Sequence, residues 1–262
     1  MGLRINTNTD AFNAYRNLSV TQGQMSKSLE KLSSGFRINR AADDAAGLAI
    51  SEGLRSQVGG LKVAVRNAQD GVSVVQTAEG ALTEVHSMLQ RMNDLSVQYN
   101  NGTQNTDSQA ALQAEFDQLQ EEVTRIADNT KFNGVELFGG TDLVFQVGYD
   151  TADTITVTGA DALAAVDTSA AVITDSTTVQ TAITAISTQR ASLGAFQNRF
   201  EHTINSVNVA IENLSASESR IRDTDMASEM VAFTRANILQ QAGTAMLAQA
   251  NQAPQSVLSL LR

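Results

Sequence analysis

Two histidines are the residues best suited to acid–base chemistry or metal binding at neutral pH, and neither has the neighbours that such chemistry needs. His86 occupies an apolar-repeat position of a predicted helix, and His202 lies between two such positions, 200 and 204. Neither belongs to an HExxH pair, which would place two zinc ligands on one helix face. Helix packing or surface exposure is therefore the favoured interpretation of both histidines.

Adjacent carboxylates are the next candidates, and they occur at Asp43-Asp44 and Glu121-Glu122. Neighbouring residues of a helix project about 100° apart, so such pairs are poorly placed to share a proton. No serine has the histidine and aspartate of a triad, and there is neither a P-loop nor a GxGxxG motif after a predicted strand. Cysteine is absent, which excludes disulfides and thiolate metal sites. We therefore expect that the chain is not an enzyme and that it has no catalytic residue, no cofactor and no metal site.

The distribution of charge argues against nucleic acid as a partner. Residues 1–45 carry a net charge of +2, residues 46–225 carry −13 and residues 226–262 carry +1, which together make −10. Phosphate binding needs clustered Lys and Arg, and the acidic middle of the chain offers the opposite. No apolar run approaches the roughly 20 residues of a membrane span, so we also expect no membrane-spanning helix.

Apolar residues recur at alternating steps of three and four, which is the pattern of a coiled-coil seam and predicts long helices. These helices must therefore position any functional surface. Three such seams occupy 54–89, 112–126 and 179–214, and a single proline occurs in the whole chain. The seams predicted for the first and last helices comprise Ala11, Tyr15, Leu18, Gln22, Met25, Leu29 and Leu32, and Ala232, Ala236, Leu239, Gly243, Met246, Ala250, Ala253, Val257 and Leu260. Because apolar stripes must be buried, the pattern predicts a mainly α, largely coiled-coil fold.

A β-hairpin is predicted at about 137–158. Apolar side chains alternate from Leu143 to Val147, and a polar turn leads to Ile155 and Val157. Residues 159–178 are rich in Ala, Asp and Thr, which indicates a low-complexity surface stretch.

Five segments resemble the signature sequences of bacterial flagellins. They are LSSGFRINRAADDAAGLAIS (32–51), SQVGGL (56–61), NAQDGVSVVQTAEGAL (67–82), TKFNGVELF (130–138) and ASEMVAFTRANILQQAGTAMLAQANQAPQSVLSLLR (227–262). Long motifs occur at both ends in the order typical of the family, and the resemblance covers roughly 1–140 and 180–262. The chain resembles a minimal flagellin without large outer domains.

The resemblance implies an architecture of two layers. Flagellins pair their terminal helices as an inner coiled-coil domain, here 1–45 with 226–262. An outer helical bundle domain with the hairpin would occupy 46–225. The inner seam is rich in Ala, Gly and Gln, and at about 25 cal/mol per Å² it buries too little apolar area to offset the entropy of ordering both termini. We therefore expect the inner domain to be disordered in the monomer and to fold on assembly.

Subunit packing is implied for the terminal helices and for the segment 35–44 that links the two layers. This segment carries two positive and two negative side chains. A solvated hinge with weak local ion pairs is the other explanation. The expected packing residues are Leu18, Met25, Leu29, Leu32, Arg37, Arg40, Asp43, Asp44, Leu239, Met246, Val257 and Leu260.

The resemblance also implies a candidate contact for the flagellin-sensing Toll-like receptor of animal hosts. The matching residues are Gln90, Arg91, Leu95, Gln98 and Glu115. Arg91 and Leu95 share a helix face, so Arg91 is expected to form charge-assisted hydrogen bonds and Leu95 to fill a pocket. At Asn93 and Asp94 the chain departs from the Arg-Glu pair that is usual in the family. Filament packing is the alternative role of the same surface.

The function implied by the resemblance is a structural subunit that self-assembles into the extracellular helical filament of the flagellum for motility. Expected partners are copies of the chain, the flagellar export apparatus and an export chaperone, the filament cap and the hook-junction proteins. The first residues lead directly into polar sequence, so we expect secretion without a cleaved signal peptide. A flagellin-like hook–filament junction protein is one alternative, which copy number would distinguish. An unrelated intracellular coiled-coil adaptor is another, which cell fractionation would distinguish.

Overall fold

The computed structural model describes residues 8–157 and 171–260, with side chains as far as residue 252. The elements in these ranges are α1 (Thr9–Ser34), α2 (Ala45–Tyr99), α3 (Thr106–Asn129), β1 (Lys131–Phe132), β2 (Val135–Glu136), β3 (Leu143–Gln146), β4 (Thr154–Val157), α4 (Ser176–Arg222) and α5 (Met226–Leu260). The predicted mainly α fold with a β-hairpin is confirmed. Most of the predicted low-complexity stretch 159–178 lies outside the described residues.

Capping residues explain where α1 begins and ends and where α3 begins. Asn8 and Asn105 precede α1 and α3, and each accepts a hydrogen bond from a backbone N–H of the first turn, at 3.0 and 2.8 Å. Gly35 ends α1 in the left-handed conformation at φ 77°, and its N–H donates to the Lys31 carbonyl oxygen. The Asn-Thr-Asp and Gly residues that flank the first apolar repeat therefore act as its start and stop signals.

The chain divides into two compact units, which are Met1–Ser56 with Leu214–Arg262 and Gln57–Asn213. We call them the terminal unit and the central unit. The large side chains that are fully buried in the central unit are Val75, Leu82, Val85, Leu89, Met92, Leu95, Phe116, Val123, Ile173, Ile186 and Phe200. In the described part of the terminal unit, Ile38 and Ala236 are the buried apolar side chains.

The central part of α2 is covered on a wide face. The predicted seam positions from Leu54 to Leu89 are all buried or half-buried, so the predicted phase of this helix is confirmed. Val74, Val85 and Met92 lie outside that seam and are buried as well. A stripe this wide is typical of a helix that packs against more than one neighbour.

The predicted hairpin is formed by β3 and β4, which pair antiparallel with Leu143 opposite Val157. Phe145 of β3 meets Phe200 of α4 edge to face, with ring centroids 5.5 Å apart. The Phe200 ring also lies against Gly71 of α2, where a Cβ atom would come within 2.7 Å of it. The missing side chain at Gly71 thus makes room for the ring that joins the hairpin to both long helices.

A second, shorter hairpin joins β1 and β2, and the sequence patterns did not predict it. Phe132 pairs with Val135 across a two-residue turn of Asn133 and Gly134, both at positive φ. Asn-Gly is the preferred dipeptide for this kind of turn, because both positions tolerate positive φ. The dipeptide was therefore a usable signal for this hairpin.

Candidate functional site

The two terminal helices, α1 and α5, lie close together in the terminal unit. Their Cα atoms come within 8 Å of each other at many positions. Leu18 packs against Gly243, where an added Cβ atom would lie 3.2 Å from Leu18 Cδ1. Further along, Lys31 Nζ lies 3.9 Å from Glu229 Oε2. The helices therefore run antiparallel, and residues with little or no side chain allow their backbones to approach.

The contact face of α1 differs from the predicted seam at every second position. The covered residues of this face are Ala11, Ala14, Leu18, Thr21, Met25, Ser28 and Leu32. Tyr15, Gln22 and Leu29 are exposed, so their prediction as seam residues is wrong. The physical reason is that the small residues Ala14, Thr21 and Ser28 alternate with Leu18, Met25 and Leu32 on this face, so that α5 packs closely against it and the neighbouring Tyr15, Gln22 and Leu29 stay in solvent.

The same difference occurs on α5. Its covered face comprises Glu229, Phe233, Ala236, Gln240, Gly243, Leu247 and Ala250. Ala236, Gly243 and Ala250 are confirmed as seam residues, whereas Ala232, Leu239 and Met246 are exposed and were wrong in that role. The side chains of Ala253, Val257 and Leu260 lie outside the described residues. Leu239 and Met246 are therefore at least half exposed and open to a further contact.

Large apolar side chains are exposed on the part of α5 that α1 does not cover. Among the described side chains of this helix, at 226–252, they are Met226, Met230, Val231, Ile238, Leu239 and Met246. A shallow groove of about 510 Å³ is lined by Met230, Val231, Thr234, Arg235, Ile238 and Leu239. On α1, the residues of this kind are Phe12, Tyr15, Val20 and Leu29. Contiguous exposed apolar surface marks an interaction site, and we call these ten side chains the terminal apolar surface.

Of the four charged residues of segment 35–44 that were predicted to pack between subunits, the two arginines form hydrogen bonds within the terminal unit. Arg37 Nη2 donates to the Ile221 carbonyl oxygen at 2.7 Å. Arg40 Nε donates to Glu30 Oε1 at 2.9 Å, in an ion pair at the protein surface. Both guanidinium groups therefore help to fix the segment after α1, and their role between subunits remains a prediction.

The two aspartates of this segment cap backbone N–H groups. Asp44 Oδ1 accepts from the Gly47 N–H at 2.9 Å and so caps the first turn of α2. Asp43 Oδ2 accepts from the N–H groups of Arg40 and Asn39, and these two bonds lower the pKa of the Asp43 carboxyl. Because the folded-state pKa is lowered, this stabilisation is present at neutral pH and is lost as the pH falls through that pKa.

Arg222 forms a clasp that the sequence patterns missed. Its guanidinium carbon lies 4.7 Å from the centroid of the Phe36 ring, and its Nη1 donates to Glu52 Oε1 at 2.6 Å. The backbones of Phe36 and Asp223 also pair as an antiparallel bridge. These residues are distant in sequence and belong to no periodic pattern, so only the fold brings them together.

We expect Gly47→Ala to destabilise the start of α2 by about 1–2 kcal/mol, because the new methyl group displaces its cap. An added Cβ atom would lie 2.5 Å from Asp44 Oδ2 and 2.7 Å from Ile38 Cδ1. Gly53→Ala is the matched control on the same helix, because an added Cβ atom there would have no heavy atom within 4 Å apart from the adjacent residues and the backbone of its own helix. It should stabilise the helix by up to about 1 kcal/mol. Amide hydrogen exchange of residues 44–52 measures both effects, and equal protection in the two variants would contradict the cap geometry.

The candidate receptor residues do not all lie on one surface. Arg91 Nε of α2 donates to Glu115 Oε1 of α3 at 2.8 Å, and both side chains are about half exposed. Gln90 and Gln98 are exposed. Leu95 is completely buried in the core of the central unit. The expectation that Leu95 fills a pocket of another protein is therefore wrong for this folded chain.

The other residues singled out for chemistry have ordinary structural surroundings. His86 Nε2 hydrogen-bonds with Gln90 Nε2 at 3.0 Å, and His202 is exposed on α4. Arg125 donates to Glu122, which lowers the pKa of that carboxyl. Over 8–157 and 171–260, no cluster of three or more His, Asp or Glu side chains is arranged to hold a metal ion. None of the helices in these ranges is both long enough and apolar enough to span a membrane.

Two family models match most of the chain. Residues 5–143 match the bacterial flagellin N-terminal helical region, and residues 176–261 match the bacterial flagellin C-terminal helical region. Among solved structures, the crystal structure of Bacillus cereus flagellin superposes with a TM-score of 0.50 at 32% sequence identity. That match covers 58% of this chain and 94% of the other.

Curated relatives match over nearly the full length of both chains. A flagellin of Halalkalibacterium halodurans is 56% identical, with 98% of this chain and 99% of the relative covered. A flagellin of Bacillus subtilis is 47% identical, with 99% and 100% covered. The flagellar filament 33 kDa core protein of Treponema phagedenis is 45% identical, with 98% and 99% covered. The chain belongs to the bacterial flagellin family.

Proposed function

We propose that the protein is a structural subunit that polymerises into the extracellular filament of a bacterial flagellum, and that the terminal apolar surface makes the contacts between subunits. The observation that carries this proposal is the set of large apolar side chains that α5 leaves exposed outside its contact with α1. An exposed apolar patch of this kind is typical of an interaction surface. Within one chain α1 covers a single face of α5, so the remaining faces require other copies of the chain.

The contrast between the two units supports assembly-dependent folding of the terminal helices. The central unit has a continuous core that includes aromatic and branched side chains from α2, α3, α4 and the hairpin. The described part of the terminal unit buries Ile38 and Ala236 and leaves ten larger apolar side chains exposed on α1 and α5. We infer that the α1–α5 pair gains most of its stability from neighbouring subunits. The inner domain at 1–45 with 226–262 and the outer domain at 46–225 remain our proposal for the layers of the filament.

Membership of the flagellin family also supports a set of proposed partners. Copies of the chain are the principal partner, and contacts that do not close into a ring generate a helical polymer. The flagellar export apparatus, an export chaperone, the filament cap and the hook-junction proteins are proposed from the family resemblance. For the host Toll-like receptor, the exposed Arg91–Glu115 pair with Gln90 and Gln98 is the remaining candidate surface, without Leu95.

We expect Ile238→Asp to abolish seeded polymerisation while leaving the folded central unit unchanged. Ile238 is 61% exposed on α5, so a carboxylate there stays solvated in the monomer. In the polymer the same carboxylate would have to be buried without a partner. Sedimentation of the chain after addition of filament seeds measures assembly, and circular dichroism checks the monomer.

Val144→Asp is the matched control for this experiment. Val144 is also 61% exposed, and it lies on the outer side of β3 rather than on a terminal helix. The Val144 variant should sediment like the wild-type chain. Normal polymerisation of the Ile238 variant, or loss of polymerisation in both variants, would show that the terminal apolar surface is not the specific contact.

A further inference from the structure

The methionines of this chain differ sharply in their access to solvent, and the exposed ones share one helix. Within 8–157 and 171–252, three methionines are exposed, and all belong to α5: Met226 at 48%, Met230 at 51% and Met246 at 61%. Met92 is completely buried, and Met25 and Met88 are partly buried. Solvent-borne oxidants therefore reach the α5 methionines first.

We propose that Met226, Met230 and Met246 form an oxidation-sensitive site that blocks assembly when it is modified. Hydrogen peroxide is the oxidant: the thioether sulfur attacks one peroxide oxygen, the O–O bond breaks, that oxygen stays on sulfur as a sulfoxide, and the other leaves as water after proton transfer. Sulfur loses two electrons, and the peroxide gains them. This inference rests on the proposed function, because it assigns a chemical control to the same terminal apolar surface.

The position of the three side chains explains why the modification would block assembly. Met230 lines the shallow groove of α5, and Met226 lies one turn before it on the same face. Met246 lies in the C-terminal half of the helix, and its side chain is exposed. Oxidation converts each flexible apolar side chain into a polar one, which disrupts interfaces built on methionine.

The same location implies that assembly protects the site. Side chains that are buried between subunits are inaccessible to an oxidant, so an intact filament should keep its thioethers reduced. The free chain is then the form that is sensitive to oxidation. An oxidised subunit would fail to join the filament end, so damaged subunits would be excluded during assembly. Methionine sulfoxide reductases of both stereospecificities would restore the apolar surface.

The first experiment uses the wild-type chain and hydrogen peroxide. The monomer is oxidised partially, filament seeds are added, and the pellet and supernatant are compared by peptide mass spectrometry. Sulfoxide at Met226, Met230 and Met246 should be depleted in the pellet on the order of tenfold, because a polar oxygen buried without a partner disfavours association. Preformed filaments given the same treatment should retain unmodified peptides at these positions.

The second experiment uses the triple variant Met226→Leu, Met230→Leu and Met246→Leu, which keeps similar apolar volume at each position. This variant should polymerise to the same extent before and after peroxide treatment, whereas the oxidised wild-type chain should stay in the supernatant. The matched control is Met25→Leu with Met88→Leu, which keeps all three α5 methionines and should remain sensitive to peroxide. Methionine sulfoxide reductases should return the oxidised wild-type chain to the pellet.

Failure of this inference and failure of the proposed function give different results. If the untreated wild-type chain does not extend seeds, the proposed function fails. If the untreated chain extends seeds and sulfoxide at the three methionines partitions equally between pellet and supernatant, the proposal of an oxidation-sensitive site is overturned. Should the triple leucine variant itself not polymerise, the partition of the wild-type chain alone decides the outcome.

Discussion

A chain that ends at Asp225 is expected to lose polymerisation completely while its central unit stays folded. The truncation removes α5 and leaves Leu18, Ser28 and Leu32 of α1 without the helix that covers them. It also removes six of the ten side chains of the terminal apolar surface. Among the described side chains, the core of Gln57–Asn213 includes none from α5, so its packing should survive.

The truncated chain is tested by seeded assembly together with hydrogen exchange of the monomer. Amides around Leu82 and Ile186 should be protected as well as in the full-length monomer, and no material should sediment with the seeds. Filaments of normal length from the truncated chain would show that α5 is dispensable. Loss of protection at Leu82 would show instead that the central unit depends on α5.

The second large effect is expected for Leu82→Asp in the core of the central unit. Leu82 is completely buried on α2. The variant loses the burial of a leucine side chain and must also bury a carboxyl group or open the core to water. Together these changes should lower the free energy of unfolding by roughly 3–5 kcal/mol.

Two matched variants test whether the loss of stability in Leu82→Asp comes from the buried position or only from the change in charge. Leu61→Asp places the same carboxylate at a half-buried seam position of α2 and should have a smaller effect. Asp142→Ala, at an exposed position just before β3, should change stability by no more than about 0.5 kcal/mol. Urea unfolding measures all three variants. A midpoint for Leu82→Asp equal to that of Asp142→Ala would contradict the burial of Leu82.

The phase of the long helices of the central unit followed from the sequence because large apolar residues mark one face of each. On α4, Val179, Ile186, Leu193 and Phe200 recur on one face, and all four are buried. The β3–β4 hairpin was also predictable, since its apolar residues alternate on both sides of a polar turn. In each case the face that the local spacing marks as apolar is also the face that the fold buries.

The phase of α1 and α5 could not be obtained from spacing alone. Both helices carry apolar residues on more than one face, so a repeat through Tyr15 and Leu29 is as regular as one through Ala14 and Ser28. Tertiary packing chooses the second, because α5 covers the α1 face that carries Ala14 and Ser28 and leaves Tyr15 and Leu29 exposed. The residues excluded from this contact then supply the terminal apolar surface.

By itself, the sequence determined that this chain is a mainly helical flagellin, because its motifs and its heptad spacing are local patterns that can be recognised in the sequence alone. Only the tertiary structure decided that Leu95 is buried while Arg91 pairs with Glu115 at the surface. Residues four apart share a helix face, but the elements packed against that face decide which of its residues are buried and which are exposed. The clasp of Arg222 with Phe36 and Glu52 likewise depends on chain segments that meet only after folding, so no spacing rule could reveal it.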